Sequence, residues 1–79
     1  MIVKFEIVNF IVLSTGVDGG HQYLKSEIEY EGYKRNLVVL FKSKEDEKLL
    51  SSKHKIYVTG NLIDEGIKQT LMLLDSVII

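Results

Sequence analysis

Tyr23 and Lys25 stand two residues apart in an alternating run, and Lys34 and Asn36 repeat that spacing in the next run. A period of two puts each pair on one face of a strand. Aromatic faces beside ammonium groups can stack bases and neutralise phosphates, and the combination tolerates any base sequence because every base has a π-face. Tyr33 and Arg35, at the turn between the two runs, extend the set, while Lys55, Tyr57 and Lys68 supply the same residue types further along. The opposing feature is the acidic series Glu27, Glu29 and Glu31, which falls on the Tyr23 and Lys25 face. Its repulsion of phosphate is local, since the Debye length is about 8 Å at physiological salt. Tyrosines in a hairpin also serve as cross-strand packing pairs, and Glu29 is an available partner for Lys34.

Residues suited to catalysis are sparse. His21 and His54 are the only histidines, and cysteine is absent. Neither metal-ligand spacing nor a disulfide framework is available. Glu45, Asp46 and Glu47 are consecutive, so on a helix they point around its axis rather than together, and they read as a solvated helix start. Gly16 to Gly20 lacks the spacing of a phosphate-cradling loop. No catalytic residue, metal site or cofactor is expected.

The elements that would position these side chains follow from the apolar periodicity. Ile2 to Ser14 begins by alternating and becomes continuously apolar from Phe10 to Leu13, as in one long strand that bends or bulges. Gly16-Val17-Asp18-Gly19-Gly20 is a loop, and Tyr23 to Glu31 alternates again. Glu31-Gly32 separates this run from Tyr33 to Lys42 at hairpin spacing. A two-residue turn pairs Tyr30 with Tyr33 and a four-residue turn pairs Tyr30 with Arg35, with the same facial parity in both. Ser43 followed by acids opens a helix to about Leu50, whose Leu49 and Leu50 turn inward to plug the barrel. Lys53 to Thr59 returns to alternation, Gly60-Asn61 interrupts that fourth strand, and Ile63 to Gly66 makes the turn into the apolar run Lys68 to Ile79.

Three strands, one short helix and two strands is the order of the OB-fold, a five-stranded Greek-key barrel whose second and third strands commonly present the binding face. The expectation is therefore a single all-β domain over residues 1–79, with the helix between strands three and four. Ile56 to Ile79 resembles the last two strands of bacterial single-stranded DNA-binding proteins and their primosomal relatives, through the apolar-x-apolar-x-Gly-x-Leu pattern of Ile56, Val58, Gly60 and Leu62. That resemblance implies an OB barrel that binds single-stranded DNA, or RNA, without catalysis. The chain has no tryptophan. Tyrosine would have to provide the stacking.

The chain has 79 residues, 46% hydrophobic and 27% charged, a composition that folds. A core of this size is marginal alone, and Val77-Ile78-Ile79 is apolar, so a homodimer or larger oligomer is expected. The net charge of -1 excludes a strong general field for polyanions and leaves local patches. No apolar run reaches the length of a membrane helix and no signal-peptide pattern opens the chain, so no membrane partner and a cytoplasmic location are expected. The alternative function is an OB-like interaction module, with the glutamate series and the last strand as contacts.

Overall fold

A computed structural model describes residues 1–17, 20–64 and 70–79. Six strands form one sheet: β1 (Ile2–Val8), β2 (Ile11–Thr15), β3 (His21–Tyr30), β4 (Tyr33–Phe41), β5 (Lys55–Asp64) and β6 (Thr70–Ile78). Between β4 and β5 lie one short helix, α1 (Lys44–Leu49), and a 3-10 turn from Leu50 to Ser52. The fold is all-β and barrel-like. Its strand order is β1-β5-β6-β4-β3-β2, antiparallel throughout except for the parallel pair β4 and β6. Because the edge strands β1 and β2 are consecutive in the chain, the sheet must curl until its two edges meet at Asn9 and Phe10.

Six strands replace the expected five because the first run breaks in two. Asn9 has φ 54, a left-handed conformation that asparagine tolerates better than most residues and that ends β1. Each half then pairs with a different neighbour, β1 with β5 and β2 with β3. The fourth strand is corrected in the opposite sense. Gly60 and Asn61 do not interrupt it, and Ile63 and Asp64 belong to it rather than to a turn.

What bends at Gly60 is the neighbouring strand. Thr59 pairs with Val77 and Asn61 with Leu74, so β6 carries one residue more than β5 over this interval. Asp75, at φ 52, is the left-handed residue of the bulge. The same shift separates Val39↔Leu73 from Phe41↔Ser76 on the β4 side.

The core is aliphatic: Ile7, Leu24, Leu37, Val39, Leu50, Ile56, Val58, Leu62, Leu71 and Leu73 are all buried. Each such side chain contributes about 1.5–3 kcal/mol relative to exposure. Leu50 alone plugs the barrel from the helical segment, since Leu49 is exposed. Ser43 caps α1 as expected, accepting from the backbone N–H of Asp46.

Candidate nucleic-acid interface

The β3–β4 hairpin turns in two residues, with Glu31 at φ 52 and Gly32 at φ 84, the pair of positive angles that a type I′ turn requires. Tyr30 therefore pairs with Tyr33, which sets Lys25 opposite Val38, Glu27 opposite Asn36 and Glu29 opposite Lys34. Leu24 and Ser26 are buried opposite Val39 and Leu37. Their neighbours must face outward. Tyr23, Lys25, Lys34 and Asn36 consequently share one solvent-facing strip, with Tyr23 half-buried and the other three exposed. Glu27 and Glu29 occupy the same strip.

Tyr33 and Arg35 fall on the opposite face, because they pair with Tyr30 and Ile28. Tyr33 is 72% exposed at the hairpin end, whereas the Tyr30 ring packs edge-on against Phe5 at 6.2 Å. The guanidinium of Arg35 donates to both oxygens of Asp64, at 2.7 and 3.3 Å, and its side chain is 16% exposed. Hydrogen bonding to Asp64 is the main cause that raises its pKa above the ordinary value. Arg35 thus links β4 to β5 and lies outside the tyrosine and lysine strip.

Lys55 and Tyr57 are on the outer face of β5, separated from β4 by β6. Two ammonium groups flank the Tyr57 ring, Lys55 at 5.5 Å and Lys4 at 5.8 Å from its centroid. Glu6 lies 4.0 Å from Lys55. Lys4 is absent from the residues singled out in the sequence, although alternation in the first run already turns it outward. Its approach to Tyr57 comes from the pairing of β1 with β5. Lys68 lies outside the described residues.

Between these two groups the outer face carries an apolar row. The register lines up Val38, Met72 and Ile63 in one row across β4, β6 and β5. Leu40 and Leu74 share that face on β4 and β6, and both are half-buried.

At the far end of the barrel the acids of α1 have structural partners. The Asp46 carboxylate accepts the backbone N–H of Ile78 at 3.1 Å, and Glu47 accepts that of Gln22 at 2.7 Å. Glu47 is only 8% exposed, which corrects the reading as a solvated helix start for Glu47 and Asp46, while Glu45 is exposed. Its second oxygen lies 3.8 Å from Nδ1 of the largely exposed His21. Among the described residues no group of three or more histidine, aspartate and glutamate side chains could hold a metal ion, and no helix is long and apolar enough to cross a membrane. No family model, curated protein or solved structure matches the chain.

Proposed function

We propose that this chain is a non-catalytic, cytoplasmic OB-fold module that binds single-stranded nucleic acid, with DNA favoured by the resemblance of Ile56 to Ile79 to single-stranded DNA-binding proteins. The observation that carries the reading is the strip of Tyr23, Lys25, Lys34 and Asn36 on the solvent face of β3 and β4. In OB barrels the corresponding second and third strands are where oligonucleotides commonly bind, and the strand order here fits that connectivity once β1 and β2 are taken as halves of one bent strand. Tyr23 supplies a stacking face, Lys25 and Lys34 supply phosphate contacts, and Asn36 offers donors and acceptors to base edges.

Titration with oligo-dT tests the reading. Stacking on tyrosine should quench intrinsic emission, which is tyrosine emission because tryptophan is absent. Affinity should fall as salt rises, since each phosphate contact releases counterions. Tyr23→Ala should cost about 1–3 kcal/mol of binding if the ring stacks a base. An unchanged affinity in that variant, or no binding to DNA or RNA at low salt, would reject the strip as the contact surface.

A second reading, assembly through the outer face, is favoured by the uncharged row of Val38, Met72 and Ile63 with Leu40 and Leu74 beside it. A marginal core and a largely half-buried, solvent-facing apolar row are both relieved by association. The row abuts the strip, since Val38 pairs with Lys25, and a homodimer or larger oligomer is expected at micromolar concentration. Met72→Lys should then yield a 9.0 kDa monomer on sedimentation. A wild-type chain that stays monomeric at high concentration would exclude assembly by this face.

A further inference from the structure

His21 is the outward residue of β3 beyond Tyr23, and its chain neighbours Gly20 and Gln22 line a cleft of about 160 Å³ together with Lys44, Glu47 and Lys48. Lys44 and Lys48 are four residues apart, so a single face of α1 carries both. Both are exposed, and among the described residues neither has an acid within ion-pair distance. The Lys44 ammonium lies 3.7 Å from the point a Cβ on Gly20 would occupy, so it sits against Gly20.

Glu47 is the opposing charge, but it is engaged at the cleft wall by the Gln22 N–H and faces His21 Nδ1. Two ammonium groups against one satisfied carboxylate leave the cleft net positive. A tetrahedral anion with several acceptor oxygens suits such a site better than a neutral ligand does.

We propose that the cleft holds a phosphodiester of the bound single strand, so that the strand runs along β3 from Lys34 and Asn36, past Lys25 and Tyr23, to Lys44 and Lys48. This inference rests on the single-strand reading above. The distance from His21 to Glu29 along β3 is about 26 Å at about 3.3 Å per residue. A strand following it would occupy a site within the roughly 4–16 nucleotides that one such barrel covers. The path begins beside Glu29 and Glu27, the cross-strand partners of Lys34 and Asn36, and leaves them behind towards Lys25 and the lysines of α1.

Oligo-dT titrations of the wild-type chain, the Lys44→Ala/Lys48→Ala double variant and Lys53→Ala, at about 50 and about 200 mM salt, test the path. Each phosphate neutralised contributes about 0.7 to the log–log salt slope for single strands, so loss of the one phosphodiester held by Lys44 and Lys48 should flatten it by about 0.7 and weaken binding roughly tenfold at the lower salt. Lys53→Ala removes an exposed charge outside the cleft and should change affinity by less than about twofold. Both lysines are exposed, so circular dichroism of the double variant should match that of the wild type, and the glutamine pair replaces it if alanine perturbs the helix.

Wild-type binding with unchanged affinity and slope in the double variant overturns the cleft contact and leaves the single-strand reading standing. Absence of wild-type binding overturns both. Inorganic phosphate at matched ionic strength is the third arm. Saturating amide shifts at Gly20 and Gln22 with phosphate, combined with no effect of the double variant on oligo-dT, would mark a site for a free anion and overturn the strand path.

Discussion

Gly60→Ala is expected to destabilise the protein by about 3 kcal/mol, at the upper end of the overpacking range for a single added methyl group in a tight core. A Cβ at this position would stand 2.5 Å from Ser76 Oγ, 2.8 Å from Leu73 Cγ and 3.0 Å from the carbonyl oxygen of Leu74. The last of these is backbone held in the sheet and has little room to move. Leu73 is fully buried, and Ser76 Oγ donates to the Leu73 carbonyl at 3.2 Å, so neither side chain can swing away without a further loss. The bulge at Asp75 presses β6 against β5 at this point, and glycine is what lets the two backbones approach. Urea denaturation measures the effect. Adding Ser76→Ala removes only the shortest of the three contacts, so the double variant should recover part of the loss, with a coupling energy of about 0.5 kcal/mol or more. A loss below about 1 kcal/mol for Gly60→Ala would mean that β5 and β6 part easily at the bulge.

Gly60 also illustrates what could and could not be read from the residues. Its place in the pattern of Ile56, Val58, Gly60 and Leu62 was visible, but it suggested an interruption of the strand. The cause lies in Ser76 and Leu73, whose approach is set by a bulge on another strand. Facial parity was far more legible. Period-two alternation across a tight hairpin fixes which residues of β3 and β4 face together, and Leu24, Ser26, Lys25 and Lys34 fall on the faces that alternation assigns. The same parity already separates Arg35 from Lys34, although their place beside the turn groups them in the sequence. Its partner Asp64 lies 29 residues away, and no local pattern announces that pair. Pairing of β1 with β5, which brings Lys4 to Tyr57, is likewise a long-range contact whose signal is absent from either segment alone. The break at Asn9 is the subtler case. Continuous apolar residues from Phe10 to Leu13 imply a change of parity, and a left-handed asparagine achieves it by ending the strand where a bulge would have kept it whole.

The acids of α1 were the least legible feature, and they carry the second large effect. Consecutive acids after a serine cap are usually solvated, because the helix dipole alone accounts for their position. Here α1 is packed across the barrel end, where strand N–H groups at Gln22 and Ile78 have no further strand to accept them, and Glu47 and Asp46 take that role. Glu47→Ala should cost about 3 kcal/mol, since a charge-assisted hydrogen bond is lost and the Gln22 N–H is left in a part-buried position without its acceptor. Glu47→Gln retains a carbonyl acceptor of the same length and should cost about 1 kcal/mol. Glu45→Ala, at an exposed position, should stay within about 0.5 kcal/mol of the wild type. Urea denaturation of the three variants gives the ranking, and amide exchange at Gln22 reports the contact directly, because its protection should fall in the alanine variant and persist in the glutamine one. If Glu47→Ala were no more harmful than Glu45→Ala, the carboxylate would not be what fastens the helix to the start of β3. The cleft between them would then lack the fixed wall on which the placement of Lys44 and Lys48 depends.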